Sequence, residues 1–340
     1  MTTTTEEAEL PLLTSSRLRC FRECPRKHAY AYVEGFRPAK TSEALRFGTL
    51  LHAGLEGYWL AIRDGADPLD WALSSIEGRG FDIFEQIRAE ELLRGYATRW
   101  AEDARDFEVV AVEAEFRAPL MNPASGLTAS RTWRLAGKID LIVRRRADGR
   151  VLVGEHKSTV ERIEDDADHY WSTLAIDGQI SGYVVGAEAL GHQVDEILYD
   201  VVRKPGQRPA YATPPEQRKY TKPTKTEPSR LYAGQRETDE APGEYRERIR
   251  AAISSDLASH FQRRSISRTQ SQIAEYLTNT WAWGRIIREA ELAGRMPGTS
   301  EACHRFGQCA YWLACSTGTH PADHPSDYVK LDNVHPELAQ

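Results

Sequence analysis

The sequence predicts an α/β (α+β) fold in which a mixed central sheet is flanked by helical N- and C-terminal segments. Three consecutive segments rich in Val, Ile and Leu, at about 107–118, 131–146 and 150–158, are predicted as strands, and a fourth follows at 196–202. A helix predicted at 168–190 separates the last two strands. Three strands, a helix and a returning strand make a mixed core.

The flanking helices are predicted from apolar periodicity and from capping residues such as Ser15. They are expected at 15–32, 44–63, 81–103, 244–262 and 269–292. The expected organisation is a disordered tail at 1–14, a helical segment at 15–105, a core at 106–204, an excursion at 205–243 and a helical segment at 244–340.

The composition is that of a globular chain with a substantial core. The 340 residues are 41% hydrophobic and carry a net charge of -6. No apolar run approaches the roughly 18 residues of a transmembrane helix, and the first ten residues show no targeting pattern, so no membrane contact and a cytoplasmic location are expected. The acidic charge does not suggest a nucleic-acid binder, but it averages over all faces.

Two acids and a lysine lie on a hairpin predicted from the second and third strands. The Asp-Gly pair at 148–149 is a strong signal for a two-residue turn, because both central residues need positive φ. A turn centred there pairs Asp140 with Lys157. It pairs Ile142 with Glu155, on the same face as Lys157. Acids this close repel unless a divalent cation such as Mg²⁺ lies between them, which makes the hairpin a candidate metal site. The alternative interpretation is an exposed hairpin with an ordinary salt bridge.

This pattern resembles the PD-(D/E)xK nuclease superfamily, in which an Asp ends one strand and a (D/E)xK triplet lies on the next. Ile139 stands at the proline position, so only Asp140 matches the first motif, whereas Glu155-His156-Lys157 matches the triplet in full. The resemblance implies a restriction-endonuclease-like core. It also implies that Asp140, Glu155 and the backbone carbonyl of His156 bind Mg²⁺ or Mn²⁺ and that Lys157 positions the attacking water. A bound divalent ion lowers the pKa of its water, and a nearby lysine stabilises developing negative charge.

Two further motifs are similar to RecB-like members of that superfamily. Gln179 and Tyr183 share a helix face and match a QxxxY motif, which implies that they support the site or contact DNA. Gly48 and His52 match a G-x-x-x-H segment that carries a metal-binding His in those nucleases, which implies that His52 is a metal ligand. Imidazole is more natural for Mn²⁺ than for Mg²⁺. The alternative for Gln179 and Tyr183 is an ordinary polar helix face. The alternative for His52 is a hydrogen-bonded residue in the core or at its boundary. Glu113 or Glu115 in the first strand is a candidate for an acid in the outer shell of the metal site, but both are interpreted as mainly structural.

The five cysteines are clustered at the two ends of the chain. An odd number without a signal peptide argues against a secreted disulfide framework. Their order resembles the CRISPR-associated four-cysteine exonucleases, in which one N-terminal and three C-terminal cysteines hold a [4Fe–4S] cluster and join the chain ends. The last three are spaced C-x5-C-x5-C, whereas the family often has a tighter first interval, and a structural Zn²⁺ site is the alternative. The implied ligands are Cys24, Cys303, Cys309 and Cys315, with Cys20 spare.

A basic segment rich in Tyr and Pro occupies the excursion. From Arg203 to Arg236 there are nine Lys or Arg and two Asp or Glu, a local charge of +7. Basic residues can neutralise phosphates and the interleaved tyrosines can stack on bases, although a solvated flexible loop is an equal alternative. The candidate nucleic-acid contacts are Arg218, Lys219, Lys222 and Lys225.

Together these features predict a metal-dependent DNA nuclease, with exonuclease action on single-stranded DNA ends. The resemblance implies a place in DNA repair, recombination or CRISPR systems, with a helicase as a partner. The chain has no G-x-x-x-x-G-K-[ST] loop, so it carries no motor of its own. A restriction-type endonuclease of the same superfamily and a non-catalytic DNA-end-binding module stay open. Lys157 beside two acids favours an enzyme, since DNA binding alone does not need that arrangement.

Overall fold

The structure is a computed structural model that describes residues 10–164, 169–226, 228–305 and 307–338. Most of the tail expected at 1–14 lies outside the described residues. Its end does not fit the expected disorder, because Leu12–Leu13 forms a short strand and Leu13 is buried. Regular structure therefore begins before Ser15.

The described residues form helices and strands along most of the chain, and no helix among them combines the length and apolar composition needed to cross a membrane. The strands are β1 (Leu12–Leu13), β2 (Phe36–Pro38), β3 (Phe107–Met121), β4 (Ala129–Arg145), β5 (Val151–Thr159), β6 (Glu196–Arg203), β7 (Phe261–Ile266) and β8 (Tyr328–Lys330). The helices are α1 (Ser15–Glu23), α2 (Pro25–His28), α3 (Glu43–Asp64), α4 (Pro68–Ile76), α5 (Ile83–Arg99), α6 (Asp103–Asp106), α7 (His169–Ser172), α8 (Gly178–Ala189), α9 (Pro242–Ser255), α10 (Leu257–His260), α11 (Gln270–Ala293) and α12 (Trp312–Thr317).

A mixed six-stranded sheet lies at the centre of the molecule. The long strand β4 pairs antiparallel with β3 and β5 and parallel with β1. Strand β6 pairs parallel with β5 and antiparallel with β7. Parallel neighbours need a long connection, and the one between β5 and β6 contains α7 and α8. The predicted mixed α/β fold is confirmed.

The two faces of the sheet bury separate apolar clusters. Helices α3, α5 and α9 cover one face, where Trp59 and Tyr245 are buried. Helices α1, α8 and α11 cover the other face and bury Val184 and Ile287. Successive side chains of a strand point to opposite faces, so neighbouring residues of β5 reach different helices.

The register of the β4–β5 hairpin differs from the expected one by two residues. Ile142 lies opposite Val153, so its expected pairing with Glu155 is wrong. The expected pairing of Asp140 with Lys157 is wrong for the same reason. Because side chains alternate between the two faces of a sheet, a shift of two residues leaves every side chain on the predicted face. The acids therefore lie on the face of the sheet that was expected for them.

The turn between β4 and β5 explains this shift, because it is a four-residue loop over 146–149. The Arg145 N–H donates to the Arg150 carbonyl, and the Gly149 N–H donates to the Arg145 carbonyl. Gly149 has a φ of 75°, but Asp148 has a negative φ, so the predicted two-residue turn does not form. The Asp148 carboxylate instead accepts a hydrogen bond from the Arg145 guanidinium at 2.6 Å.

The helix expected at 15–32 is broken at Cys24. Cys24 has an extended backbone, with α1 ending before it and α2 beginning after it. The residue before a proline is disfavoured in the helical region, and Pro25 follows directly. The break places Cys24 at a junction between two helices.

Two later helices are also shorter than expected. The helix expected at 168–190 is interrupted by a 3₁₀ turn, and α8 begins only where the Asp177 side chain caps it. The helix expected at 244–262 ends at Ser255, and the chain turns through α10 into β7. Strand β7 was absent from the predicted elements, because its partner β6 is distant in sequence and gives no local signal.

Candidate active site

One helix and two strands bring three metal-binding side chains together. His52 comes from α3, Glu113 from β3 and Asp140 from β4, and their potential ligand atoms all lie within 4.8 Å of one another. His52 Nδ1 is 3.8 Å from Asp140 Oδ2. Glu113 also forms an ion pair with Lys138. Sequence reasoning interpreted Glu113 as mainly structural, whereas the structure places its carboxylate in this cluster.

Glu113 has an unusual backbone conformation. Its φ is 51°, and no other non-glycine residue of the described chain has a positive φ. A residue held in this region costs about 1–3 kcal/mol, and such residues concentrate at functional sites. Glu115, the other acid considered in this strand, pairs instead with Arg117 at 3.0 Å and lies outside the cluster.

The Glu155–Lys157 pair lies on β5 and extends the site toward α8. The Lys157 ammonium forms an ion pair with Glu155 Oε1 and donates to Gln179 Oε1 at 3.1 Å. The Gln179 amide then donates to the Tyr183 hydroxyl at 2.9 Å. Glu155 Oε2 is buried without a hydrogen-bond partner among the described residues. The structure therefore brings all four of these predicted residues into one chain of contacts.

The backbone of β5 holds Asp140 in place. The His156 N–H donates to Asp140 Oδ2 at 2.9 Å. In an extended strand the N–H and carbonyl of one residue point to the same side, so the His156 carbonyl is oriented toward Asp140 as well. The His156 side chain points to the opposite face, where its ring packs beside Trp59.

The charges of the cluster are poorly compensated. Burial, and next the nearby Glu155 carboxylate, raise the pKa of Asp140 well above its usual range. Burial disfavours the charge of Lys157, but Glu155 and Asp140 outweigh it and raise the pKa of the lysine. Burial together with the neighbouring His156 and Lys157 lowers the pKa of His52 to about 3. The imidazole is therefore neutral and available as a ligand, and the crowded acids favour an added cation.

The donor set fits a hard divalent ion. Carboxylate oxygens suit Mg²⁺ and Mn²⁺, and one imidazole favours Mn²⁺. The unpartnered Glu155 Oε2 is the orphaned buried atom that such an ion would satisfy. The carboxylates come from strands that the sheet holds at a constant spacing, and the imidazole comes from α3, which packs on that sheet, so the site is built before any ion binds.

A buried polar network supports β5 from the face opposite to the acids. His156 Nδ1 lies 3.3 Å from Asp200 Oδ2, and Arg263 Nε lies 3.1 Å from the same oxygen. Arg263 also donates to Asp103 Oδ2 at 2.8 Å and to the Tyr96 hydroxyl at 2.7 Å. Sequence reasoning missed this network, because Arg263 belongs to the unexpected strand β7.

Four of the five cysteines line one cavity of about 350 Å³. No cysteine forms a disulfide bond. Cys20 does not line the cavity but packs beside Tyr311 and Tyr328, and burial raises the pKa of its thiol to about 12. The cavity residues are Cys24, Cys303, Cys309 and Cys315, the set implied by the resemblance.

The basic excursion supplies none of the three clustered metal-binding residues. No hydrogen bond or ion pair joins its described residues to the acids or to Lys157. The guanidinium of Arg218 donates to the carbonyls of Thr213 and Glu237 and so holds the loop together. The other three candidate contacts, Lys219, Lys222 and Lys225, are exposed, as are Tyr211, Tyr220 and Tyr232.

Comparison with known proteins agrees with this geometry. A family model described as the PD-(D/E)XK nuclease superfamily matches residues 12–316, nearly the whole chain. The match runs from β1 to the last helix and includes the acid cluster, the Glu155–Lys157 pair and the four cysteines of the cavity. A search of curated proteins found no match.

Proposed function

This chain belongs to the PD-(D/E)XK nuclease superfamily, and from that premise we propose that it is a Mg²⁺- or Mn²⁺-dependent exonuclease on single-stranded DNA ends. The superfamily consists of metal-dependent nucleases. The observation that carries the proposal is the cluster of His52, Glu113 and Asp140 beside the Glu155–Lys157 pair. A module that only binds DNA has no use for a lysine placed among acids, so cleavage is favoured over binding alone.

The proposed ligands of the ion are the three clustered side chains together with Glu155 and the His156 carbonyl. When bound, a divalent ion supplies a water of lowered pKa and neutralises phosphate charge. Asp140 is oriented by the His156 N–H, and Glu155 is oriented by Lys157. The addition of Glu113 to the expected set rests on its position in the cluster.

Lys157 is proposed to act by its charge and not as a base. Its pKa is raised, so the ammonium is protonated at neutral pH and has no lone pair to accept a proton. It can donate a hydrogen bond to the attacking water and stabilise the negative charge that develops on the phosphate. Gln179 accepts from the ammonium and restricts its orientation, and Tyr183 in turn orients the Gln179 amide.

The cysteine cavity is proposed to hold a [4Fe–4S] cluster, with Zn²⁺ as the alternative. Four thiols are the ligand number of such a cluster. A tetrahedral zinc site with Zn–S bonds of about 2.3 Å brings its sulfurs to roughly 3.8 Å from one another. Among the described residues, no three cysteine sulfurs lie within 4.8 Å of each other. A group bound by all four cysteines would join the N- and C-terminal segments, since Cys24 lies near the start of the chain and the other three lie near its end.

Exposed tyrosines and lysines support single-stranded DNA as the substrate. Tyr211 is 69% exposed and lies in the basic excursion with three exposed lysines. Single strands expose base faces to aromatic side chains, whereas duplexes stack them away. We propose a role in DNA repair, recombination or a CRISPR system, beside a helicase, and a cytoplasmic location in keeping with the unpaired thiols.

The test is cleavage of end-labelled DNA by anaerobically purified protein with Mg²⁺, with Mn²⁺ and without metal. Progressive shortening of single strands from an end is expected. Asp140→Ala, Glu155→Ala and Lys157→Ala should each nearly abolish it with the fold intact, and His52→Ala should weaken it less. Internal cuts in duplex DNA would instead support the restriction-type alternative. Binding of ends without metal-dependent cleavage would support the non-catalytic module.

A further inference from the structure

A polar groove of about 240 Å³ lies beside the catalytic lysine, between α1, α8 and α11. Gln179 connects the groove to the site, because its side chain lines the groove and accepts the hydrogen bond from Lys157 at 3.1 Å. Anything that occupies the groove therefore lies one side chain away from the Lys157 ammonium. The basic excursion supplies none of the groove residues.

The groove is lined by three guanidiniums and by the carboxylates of Asp177 and Glu275. Arg19 and Arg22 are exposed on α1, three residues apart and hence on the same helix face. Within the described residues, neither guanidinium forms an ion pair with a carboxylate. Two unpaired charges that converge on one groove are suited to a ligand with successive anionic groups.

A third guanidinium is fixed in position at the other side of the groove. Arg268 donates to the carbonyls of Leu174 and Asp177, at 2.5 Å and 3.3 Å, and to Ser181 Oγ at 3.2 Å. These acceptors are neutral, and the nearby Asp177 carboxylate interacts with the guanidinium only through space. The Asp177 carboxylate, which also lines the groove, is occupied as the cap of α8, where it accepts the Gln179 N–H at 2.8 Å.

The groove also contains aromatic surface. Tyr276 and Trp283 of α11 line it, and both side chains are half-buried. Aromatic faces next to cationic groups are the combination that binds single-stranded nucleic acid, with bases stacked and phosphates neutralised. A small anion would use the arginines alone and would leave the aromatic residues without a role.

We propose that this groove binds the single strand next to the scissile phosphate, with Arg19 and Arg22 contacting backbone phosphates and Tyr276 and Trp283 contacting bases. The assignment rests on the proposed nuclease function and adds a strand-binding subsite to it. Strand polarity then follows from which end of the substrate lies over α1.

The test compares two double variants of the full chain. Arg19→Ala/Arg22→Ala removes the groove charges, and Arg131→Ala/Arg285→Ala removes two other exposed arginines that line a different groove and are likewise free of carboxylate partners among the described residues. Binding of a fluorescent oligothymidylate is measured without metal over a range of salt concentrations. The groove variant should bind severalfold more weakly, and its slope of log affinity against log salt should fall by about 1.4, or roughly 0.7 per lost contact. The control variant should keep the wild-type slope.

The outcomes separate the two proposals. A wild-type protein that neither binds nor cleaves single strands would overturn the proposed function itself. A wild-type protein that does both, with an Arg19/Arg22 variant of unchanged affinity and slope, would overturn only the groove assignment. Equal losses in the two double variants would also overturn it, because the effect would then be one of net charge.

Discussion

Glu113 of β3 and Asp140 of β4 lie opposite each other in the sheet. On one side of this pair, residues of both strands face one apolar core, and two positions further along they face the other core. Leu141 packs in the core beneath α3, whereas Ile139, two residues earlier, packs in the opposite core. Regular alternation would put both on one face, so this change of face marks a local twist, and the left-handed φ of Glu113 accompanies it. Two acids are thus held at the irregular point of the sheet. The flanking pairs are Val112–Leu141 and Ala114–Ile139.

The role of Glu113 is tested with a matched pair of substitutions in one strand. Glu113→Gln should raise the Mn²⁺ concentration for half-maximal cleavage by about 10-fold or more, because a carboxylate of the cluster is lost. Glu115→Gln removes the same charge outside the cluster and should leave this concentration unchanged. The measurement is the cleavage rate as a function of Mn²⁺ concentration for the wild type and both variants. Identical titration curves for both variants and the wild type would make Glu113 structural.

The raised pKa of Asp140 predicts how the stability of the metal-free protein depends on pH. The folded state holds the proton of Asp140 more tightly than the unfolded state does. The contribution of this proton to stability is therefore full below the ordinary Asp pKa of about 3.9 and is lost as the pH rises through the higher folded value. Thermal unfolding should show that Asp140→Asn reduces this loss and is more stable than the wild type at alkaline pH. Added Mn²⁺ should stabilise the wild type and not the variant. A wild-type protein and variant with parallel stability profiles would contradict the assignment.

Gln179 is predicted to matter through the orientation of Lys157. Gln179→Leu removes the oxygen that accepts from the ammonium and should lower kcat by about 10- to 100-fold, since small misplacements of catalytic groups have effects of this size. Tyr183→Phe keeps that oxygen and removes the hydroxyl that accepts from the Gln179 amide, so the loss should be smaller. Single-turnover rates at saturating DNA measure both. The reverse order of effects would place the important contact at the tyrosine.

The cysteine cavity predicts brown protein with broad visible absorbance and about four irons per chain. Replacement of any cavity cysteine by Ser should remove the colour and lower the melting temperature, because a structural metal group stabilises the fold that binds it. Cys20→Ser is the control and should keep the colour, since Cys20 lies outside the cavity. Colourless protein with one zinc per chain would establish the alternative. The substituted cysteines are Cys24, Cys303, Cys309 and Cys315.

The basic excursion is tested with the three exposed lysines, and Arg218 is left in place because its guanidinium holds the loop. Replacing Lys219, Lys222 and Lys225 together by Ala should weaken single-strand binding. The salt slope should fall by about 2.1 if each lysine contacts one phosphate, at roughly 0.7 per contact. Anisotropy titrations at several salt concentrations measure it. A triple variant with wild-type affinity and slope would show that the segment is a solvated loop.

Sequence by itself determined the parts of this protein that depend on local patterns. Segments rich in Val, Ile and Leu predicted the strands that carry Asp140, Glu155 and Lys157, and a spacing of four predicted that Gln179 and Tyr183 share a helix face. A two-residue error in the hairpin register did not disturb this, because the side chains of a strand alternate with a period of two. The clustering of the cysteines likewise indicated a shared site before the structure placed four of them around one cavity.

Only the tertiary structure decided the features that depend on residues distant in sequence. Glu113 enters the cluster because β3 pairs with β4 through an irregular point, and no local pattern specifies a left-handed residue there. Arg263 reaches the face of β5 opposite to the acids because β7 pairs with β6, although the basic excursion separates the two strands in sequence. The groove beside Lys157 exists because α1 and α11 pack against α8. Local periodicity specifies elements, whereas contacts between elements are selected by the packing of the whole chain, and the site is assembled at those contacts.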